Sequence, residues 1–124
     1  MANPNIVDVI SIYGNTSYLI PTGTSATTWT ALTPAVGTVN KIDNIVAANV
    51  TGTSATITVS INSLAAGAGT NYRLVYQVTV PANASLIVVD KSTAFYLGET
   101  QSIVVTSGTT SAIELTASYE AITS

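Results

Sequence analysis

Thr56-Ile57-Thr58-Val59-Ser60-Ile61 alternates strictly between hydroxyl-bearing and branched aliphatic side chains. Because successive side chains of a β-strand point to opposite faces, the three aliphatic residues share one face and the hydroxyls share the other. This pattern predicts a half-buried strand, with one face against a core and the other toward solvent. A helix would distribute the same side chains around its axis.

The same alternation continues on both sides of a series of turn-forming segments rich in Gly, Pro, Asn and Ser. In residues 113–120 the side chains expected to point inward are Ile113, Leu115, Ala117 and Tyr119. In residues 72–80 they are Tyr72, Leu74, Tyr76, Val78 and Val80. Ten strands are predicted, at residues 6–12, 17–20, 27–32, 41–50, 55–62, 72–80, 85–90, 94–97, 101–106 and 112–122.

Many short strands without a helical pattern predict an all-β fold, an antiparallel two-sheet sandwich that is jelly-roll-like. One domain is expected for a chain of 124 residues. Charge disappears between Val9 and Asn40. Residues 1–40 are therefore predicted to form an N-terminal arm and edge strands of the same domain, and residues 41–124 its β-sandwich core. The loop at residues 65–71, with two glycines, is predicted to be a mobile hairpin tip.

The composition argues against most chemistry. The chain has no histidine, no cysteine, three basic and six acidic residues. Its serine and threonine hydroxyls lack a neighbouring base that could activate them, and no loop collects enough acidic oxygens for calcium. With so few cations there is no basic stripe for phosphates. The sequence predicts no enzyme, no cofactor, no metal site and no nucleic-acid partner.

Only 7% of the residues are charged, against about a quarter in an ordinary soluble domain. Part of the surface is therefore expected to be covered by partners, foremost other copies of the chain, with a trimer as the expected oligomer. The aromatic residues of the uncharged segment either anchor an interface or fill the domain's own core. The candidate interface residues are Ile6, Val7, Ile10, Ile12, Tyr13, Tyr18 and Trp29.

The amino terminus has neither a basic region nor an apolar run before a small-residue cleavage site, so no secretory signal is predicted. No apolar stretch reaches the roughly 18 residues of a membrane-spanning helix, and no membrane partner is expected. The absence of cysteine fits synthesis in a reducing cytoplasm.

Three segments carry a resemblance to small virion proteins of tailed bacteriophages, particularly marine and cyanobacterial phages. They are Val78-Thr79-Val80-Pro81-Ala82-Asn83-Ala84-Ser85-Leu86-Ile87-Val88-Val89-Asp90-Lys91, Phe95-Tyr96-Leu97-Gly98-Glu99 and Leu115-Thr116-Ala117-Ser118-Tyr119-Glu120-Ala121-Ile122. The opening Met1-Ala2-Asn3-Pro4-Asn5-Ile6-Val7 is similar too. The uncharged stretch 65–71 departs from the family pattern, where a more polar hairpin is expected.

The resemblance implies an all-β virion component, with a capsid decoration (cement) protein as the leading expectation. Its partners would be further copies of itself and a major capsid protein. A tail, neck or fibre component has the same composition and stays open. A receptor- or glycan-binding module is the other alternative, with a sugar-stacking platform drawn from Trp29, Tyr13, Tyr18, Tyr72 and Tyr96.

Overall fold

The structure is a computed structural model that describes residues 9–123. Within these residues the chain forms nine β-strands and three short 3-10 turns. The strands are β1 (Ser11–Leu19), β2 (Thr27–Thr28), β3 (Thr38–Asn49), β4 (Ala55–Asn62), β5 (Asn71–Val80), β6 (Ser85–Val89), β7 (Phe95–Leu97), β8 (Ser102–Ser107) and β9 (Ile113–Thr123).

The strands form two sheets in which every pair is antiparallel. Sheet A has the order β1-β9-β3-β6, and β7 also pairs with β3, next to β6 along the same edge. Sheet B has the order β2-β8-β4-β5. The two sheets pack face to face, and the core lies between them.

The connectivity is that of a jelly roll. The pairs β4–β5, β3–β6, β2–β8 and β1–β9 nest within one another along the chain, and they alternate between sheet B and sheet A. One long antiparallel hairpin, wrapped around the core, gives this order. The predicted all-β, jelly-roll-like sandwich is confirmed.

The core follows the predicted alternation in β4 and β9. Ile57, Val59, Ile113 and Ala117 are completely buried, and Leu115 is almost so. Burying one such aliphatic side chain contributes roughly 1.5–3 kcal/mol relative to leaving it in water. The hydrophobic residues from both sheets therefore hold the sandwich together, and with no cysteine the chain forms no disulfide.

The segment before residue 41 contributes strands to both sheets. β1 forms the edge of sheet A and pairs with β9 along its whole length, and the short β2 forms an edge of sheet B. The prediction of two strands at 6–12 and 17–20 is wrong within the described residues, because one continuous strand runs through Gly14 and Asn15. The boundary between residues 40 and 41 falls inside β3.

In β5 the inward prediction is wrong for Tyr72 and Tyr76, which are exposed. The register against β4 shifts twice, and Val59 pairs with Val75 rather than with Tyr76. The shift between Ile57 and Val59 adds a residue to β5 that has no partner, which places Val75 opposite Val59 and turns Tyr76 outward. The second shift restores the original phase, so Tyr72 lies opposite Ile61, and the register does not explain its exposure.

The loop between β4 and β5 is anchored on the outer face of sheet B, in contrast to the predicted mobile tip. The backbone N–H of Gly67 donates to Ser102 Oγ at 2.9 Å, and Ser102 Oγ donates to the Leu64 carbonyl at 2.7 Å. The Gly69 N–H donates to Asn62 Oδ1 at 2.8 Å. The loop buries Ser102 and Asn62, which would otherwise face solvent.

In the part of the chain that the structure describes, no helix has the length and apolar character needed to cross a membrane.

Candidate interaction surface

Four of the predicted interface residues lie on or beside β1 and are exposed. Ile10 is 80%, Ile12 55%, Tyr13 65% and Tyr18 73% exposed. Exposed side chains of this size are the residue types that anchor protein interfaces. The predicted contacts of Ile6 and Val7 lie outside the described residues.

Trp29 is a core residue, which corrects its prediction as an interface residue. Its side chain is 1% exposed, and its indole Nε1–H donates to Ser17 Oγ at 3.0 Å. A large aromatic side chain with its polar atom satisfied inside the sandwich has no surface to offer a partner. For Trp29 the alternative of filling the domain's own core is therefore correct.

The outer face of sheet A carries an apolar row across its strands. Tyr18 of β1 lies opposite Thr116 of β9, Thr116 lies opposite Val46 of β3, and Val46 lies opposite Ile87 of β6. Ile87 is 64% exposed, and Val46 is half-buried. We call these four residues the sheet A row. It offers a continuous, uncharged surface to a neighbour.

Ile87 was not identified from sequence. Its strand reads Ser-Leu-Ile-Val-Val, and four adjacent aliphatic residues contain no alternation that would show which of them points outward. A register shift between β3 and β6 next to Val46 determines that Ile87 faces outward, because Val46 pairs with Ile87 while Ile45 pairs with Val89. No local sequence signal marks that shift.

A shallow groove of about 550 Å³ on sheet A gathers charged side chains from Lys41, Asp43, Lys91 and Glu120. Lys41 Nζ lies 3.9 Å from Asp43 Oδ1 and 3.8 Å from Glu120 Oε2. Exposed pairs of this kind contribute about 0–1 kcal/mol each. Two cations and two carboxylates compensate each other, so the groove gives no strong field for a phosphate or a metal ion.

Asp90 begins the 3-10 turn Lys91–Thr93 rather than pairing with its sequence neighbour Lys91. Its Oδ1 accepts hydrogen bonds from the Ser92 hydroxyl at 2.6 Å and from the Ser92 N–H at 2.9 Å. The Thr93 hydroxyl in turn accepts from the Asp90 N–H at 3.0 Å, completing a capping box. The hydrogen bonds from Ser92 lower the pKa of Asp90 below its usual value of 3.8.

Glu99 is the buried carboxylate of the described chain. It is 9% exposed, and its Oε2 accepts from the Gly37 N–H at 2.7 Å, while Oε1 has no hydrogen-bond partner. Residues 9–123 contain no group of three or more His, Cys, Asp or Glu side chains that could hold a metal ion.

The four sheet edges that residues 9–123 form differ in how they are protected. β2 has only two residues, and the edge beyond β3 is divided between β6 and β7, with Asp90 and Lys91 in the connection. β5 carries Arg73 and two register shifts, and Gln77 has a positive φ of 48°. Short length, charge and bulges are the features by which natural sheets discourage strand pairing.

β1 has none of these features. It is nine residues long, contains no charged residue and no proline, and its register against β9 is unbroken. A long, regular and uncharged edge is a template for pairing with another strand. Among the edges formed by residues 9–123, β1 is therefore the one open to a further strand.

Comparison with known proteins places the chain in no family. No family model matches it, and no curated protein matches it. Among solved structures, it is similar to a chain of the virus-like particle of the extra small virus (XSV) of the giant freshwater prawn Macrobrachium rosenbergii, determined by cryo-EM. That match has a TM-score of 0.46 and 15% sequence identity, and covers 98% of this chain and 86% of that chain.

Proposed function

We propose that this chain is a structural virion protein, a capsid decoration (cement) protein that self-associates and binds the major capsid protein of a tailed-phage head. The observation that carries the proposal is the exposed apolar surface of sheet A, where Tyr18, Ile87 and Ile12 are each more than half exposed. Burying such side chains against neighbours is favourable, and a chain with 7% charged residues loses few hydrated charges in doing so.

The jelly-roll connectivity supports this function without selecting it, because the fold occurs in viral capsid proteins and in lectins. The resemblance to phage virion proteins includes the stretch from Val78 to Lys91, which spans the end of β5 and all of β6. In this proposal the chain is made in the host cytoplasm and works in the virion. It needs no cofactor, metal, nucleic acid or membrane, and it has no catalytic role.

Binding to heads tests the sheet A row directly. Purified protein is mixed with phage heads assembled without it, and the bound fraction is measured by co-sedimentation. Ile87→Ser and Tyr18→Ser are each expected to weaken binding about tenfold or more, because each removes an apolar contact worth roughly 1.5–3 kcal/mol when fully buried. Leu64→Ser is the control, since Leu64 is 51% exposed but lies on the loop over sheet B. Weakening by the control alone would place the contact on sheet B.

The N-terminal arm is a second element of the proposal. Deleting residues 1–12 would also remove Ser11 and Ile12, which belong to β1. A deletion of residues 1–8 leaves β1 complete and is the better variant. It is expected to abolish head binding while far-UV circular dichroism shows a folded sandwich. Full binding by this variant would refute the role of the arm.

A tail, neck or fibre component would use the same surfaces. Cryo-EM of particles containing the chain separates this alternative from the proposed function. Density for the jelly roll on the tail or neck, with none on the head, would show a tail or neck component instead of a decoration protein.

The predicted trimer is tested by light scattering of the purified protein, which would give three times the monomer mass.

A glycan-binding module is favoured by one observation on the edge of sheet B. Tyr72 is 64% and Tyr76 59% exposed, and the Arg73 guanidinium lies 5.1 Å from the centre of the Tyr76 ring. Exposed aromatic faces can stack on sugar rings, although Trp29 is buried and cannot take part. Glycan-array binding that is lost in Tyr72→Ser and Tyr76→Ser would support this alternative, and binding unaffected by both substitutions would exclude this platform.

A further inference from the structure

We infer that the open edge of β1 pairs with β1 of a second copy of this chain, antiparallel and about a twofold axis, so that the two A sheets join into one. This inference rests on the proposed self-association, but it assigns that association to a twofold pair in place of the expected trimer. It follows from the protection of the other edges, from the direction of the free backbone groups, and from the match of β1 to itself.

The hydrogen bonds of β9 show which backbone groups of β1 point away from β9. The Val50 N–H donates to the Ala112 carbonyl at 3.1 Å, and the Ser118 N–H donates to Asn44 Oδ1 at 3.1 Å. At the start of β9 and in its middle, the even-numbered residues therefore direct their peptide groups toward β3. Because direction alternates along an antiparallel strand, the odd-numbered residues of β9 face β1.

The same alternation applies to β1. Its odd-numbered residues lie opposite odd-numbered residues of β9, as Ser17 lies opposite Ala117, and use their peptide groups there. The Thr123 carbonyl of β9, an odd-numbered position, accepts from the Ile10 N–H at 2.7 Å and therefore faces β1. Ile10 precedes β1 and does not follow its alternation. The peptide groups that face the open edge belong to Ile12, Gly14, Thr16 and Tyr18.

β1 is complementary to itself when the pairing is centred on Asn15. In this register Ile12 lies opposite Tyr18 of the second copy, and Gly14 lies opposite Thr16, so each residue with free peptide groups meets another. Ile12 and Tyr18 are both exposed and both on the outer face of sheet A. An aromatic side chain opposite a branched aliphatic one is a favourable cross-strand pair. Shifted registers leave residues at both ends of the strand unpaired.

Charge favours a second copy over a strand of another protein. The sequence carries no charge between Val9 and Asn40, so two copies meet at this edge without like charges and without burying an unpaired ion. A twofold axis uses the same patch on both subunits, and an antiparallel pair of identical strands has this symmetry.

A single cysteine tests the register, because the natural chain contains none. The two Asn15 residues would form a pair without mutual hydrogen bonds, with Cα atoms about 4.5 Å apart, which is within the range of a disulfide. The full-length Asn15→Cys variant is expected to form a covalent dimer under mild oxidation, seen on non-reducing gels. Ser54→Cys, in an exposed turn, is the control and is expected to form no disulfide-linked dimer on the same gels.

Proline at Thr16 tests the edge without disturbing β9, because the Thr16 N–H points away from β9. Thr16→Pro is expected to weaken self-association about tenfold or more in light scattering and sedimentation, and Thr16→Val to leave it unchanged. A thermal melt verifies that Thr16→Pro is folded. If Thr16→Pro does not fold, the cysteine variants and the charge variants decide whether β1 pairs with β1 of a second copy.

Charge variants test the pairing of Ile12 with Tyr18. Ile12→Lys combined with Tyr18→Lys places like charges opposite each other twice, at a cost that corresponds to more than a tenfold loss of affinity. Ile12→Lys combined with Tyr18→Glu places opposite charges there and is expected to retain association.

Self-association with an even number of subunits, cross-linking at Asn15→Cys and the contrast between the charge variants support the inference. A wild-type protein that is monomeric or trimeric, without cross-linking at Asn15→Cys, overturns it. In that case co-sedimentation of Ile87→Ser still decides the proposed function, because Ile87 lies on β6 and takes no part in pairing through β1. A foreign strand as the occupant would show as a monomer whose head binding is lost in Thr16→Pro, which also overturns pairing with a second copy.

Discussion

The indole Nε1–H of Trp29 donates a 3.0 Å hydrogen bond to Ser17 Oγ inside the sandwich. Ser17 belongs to β1 at the edge of sheet A, and Trp29 directly follows β2 at the edge of sheet B. The bond therefore joins the two sheets at the edge where β1 is open. Since both side chains are at least nine-tenths buried, water does not replace the bond easily.

Trp29→Phe and Ser17→Ala each remove one partner and leave the other buried without a hydrogen bond. Each is expected to lower the free energy of unfolding by roughly 1–3 kcal/mol through that orphaned group, and Trp29→Phe by more because the ring is smaller. The double variant should lose less than the sum, because neither orphaned group remains. Urea unfolding of the four proteins measures this coupling. Simple additivity would show that the bond contributes nothing.

Three glycine substitutions separate backbone strain from crowding. Gly67 has φ of +71°, and a Cβ there would lie 2.8 Å from Thr28 Oγ1 and 3.3 Å from Val104 Cγ2, whereas Gly37 has φ of +73° and open space. Gly37→Ala is expected to cost about 1–2 kcal/mol from the left-handed conformation, and Gly67→Ala more than that. Gly23→Ala, with open space and no positive φ, is the control and should stay within about 0.5 kcal/mol.

Denaturant midpoints of these three variants give the ranking. Equal losses at Gly67 and Gly37 would mean that the loop over sheet B moves to admit a methyl group. It would then be less firmly anchored than its hydrogen bonds to Ser102 indicate.

Two isoleucines on neighbouring strands distinguish core from interface. Ile45 is completely buried and Ile87 is 64% exposed. Ile45→Ala is expected to lower the free energy of unfolding by roughly 2–5 kcal/mol, while Ile87→Ala stays within about 0.5 kcal/mol. Chemical unfolding measures both. A large loss at Ile87 in dilute protein would show that this side chain stabilises the single subunit rather than a contact between proteins.

Asp90 has a lowered pKa because Ser92 donates to its carboxylate. The stabilisation from this capping is therefore present above the usual pKa of 3.8 and is lost as the pH falls through the lower folded-state value. NMR titration of the Asp90 side-chain carboxyl carbon should give a midpoint below 3.8, and Ser92→Ala should raise it. Ser54→Ala, in a distant turn, should leave the Asp90 midpoint unchanged. An unchanged midpoint in Ser92→Ala would exclude Ser92 as the cause.

The sequence predicts most strands because alternation is a local signal. β4 has the bounds expected for residues 55–62, since its hydroxyls and aliphatic residues alternate without interruption. For β1 the sequence predicts two strands, at residues 6–12 and 17–20, with Gly14 and Asn15 between them. Its continuity comes from β9, a hundred residues away in sequence, which pairs with the whole strand.

The candidate surface was harder to predict because it depends on register. Nothing near Tyr76 in sequence shows that β5 contains additional residues, and nothing near Ile87 shows that it pairs with Val46. Trp29 looked available to a partner because the acceptor for its indole, Ser17, lies twelve residues earlier on the opposite sheet. Hydrophobic pattern therefore predicts the layers, and long-range pairing decides which side chains remain outside.

The unequal protection of the four edges limits growth. A subunit with two adhesive strands could add copies at both ends and extend into a fibril, as sheets with unprotected edges do. Among the edges that residues 9–123 form, the bulges of β5 and the divided edge at β6 and β7 leave β1 for addition, so the pairing inferred above would close after two subunits. A protein this poor in charge can thus accumulate at high concentration without polymerising through its sheets.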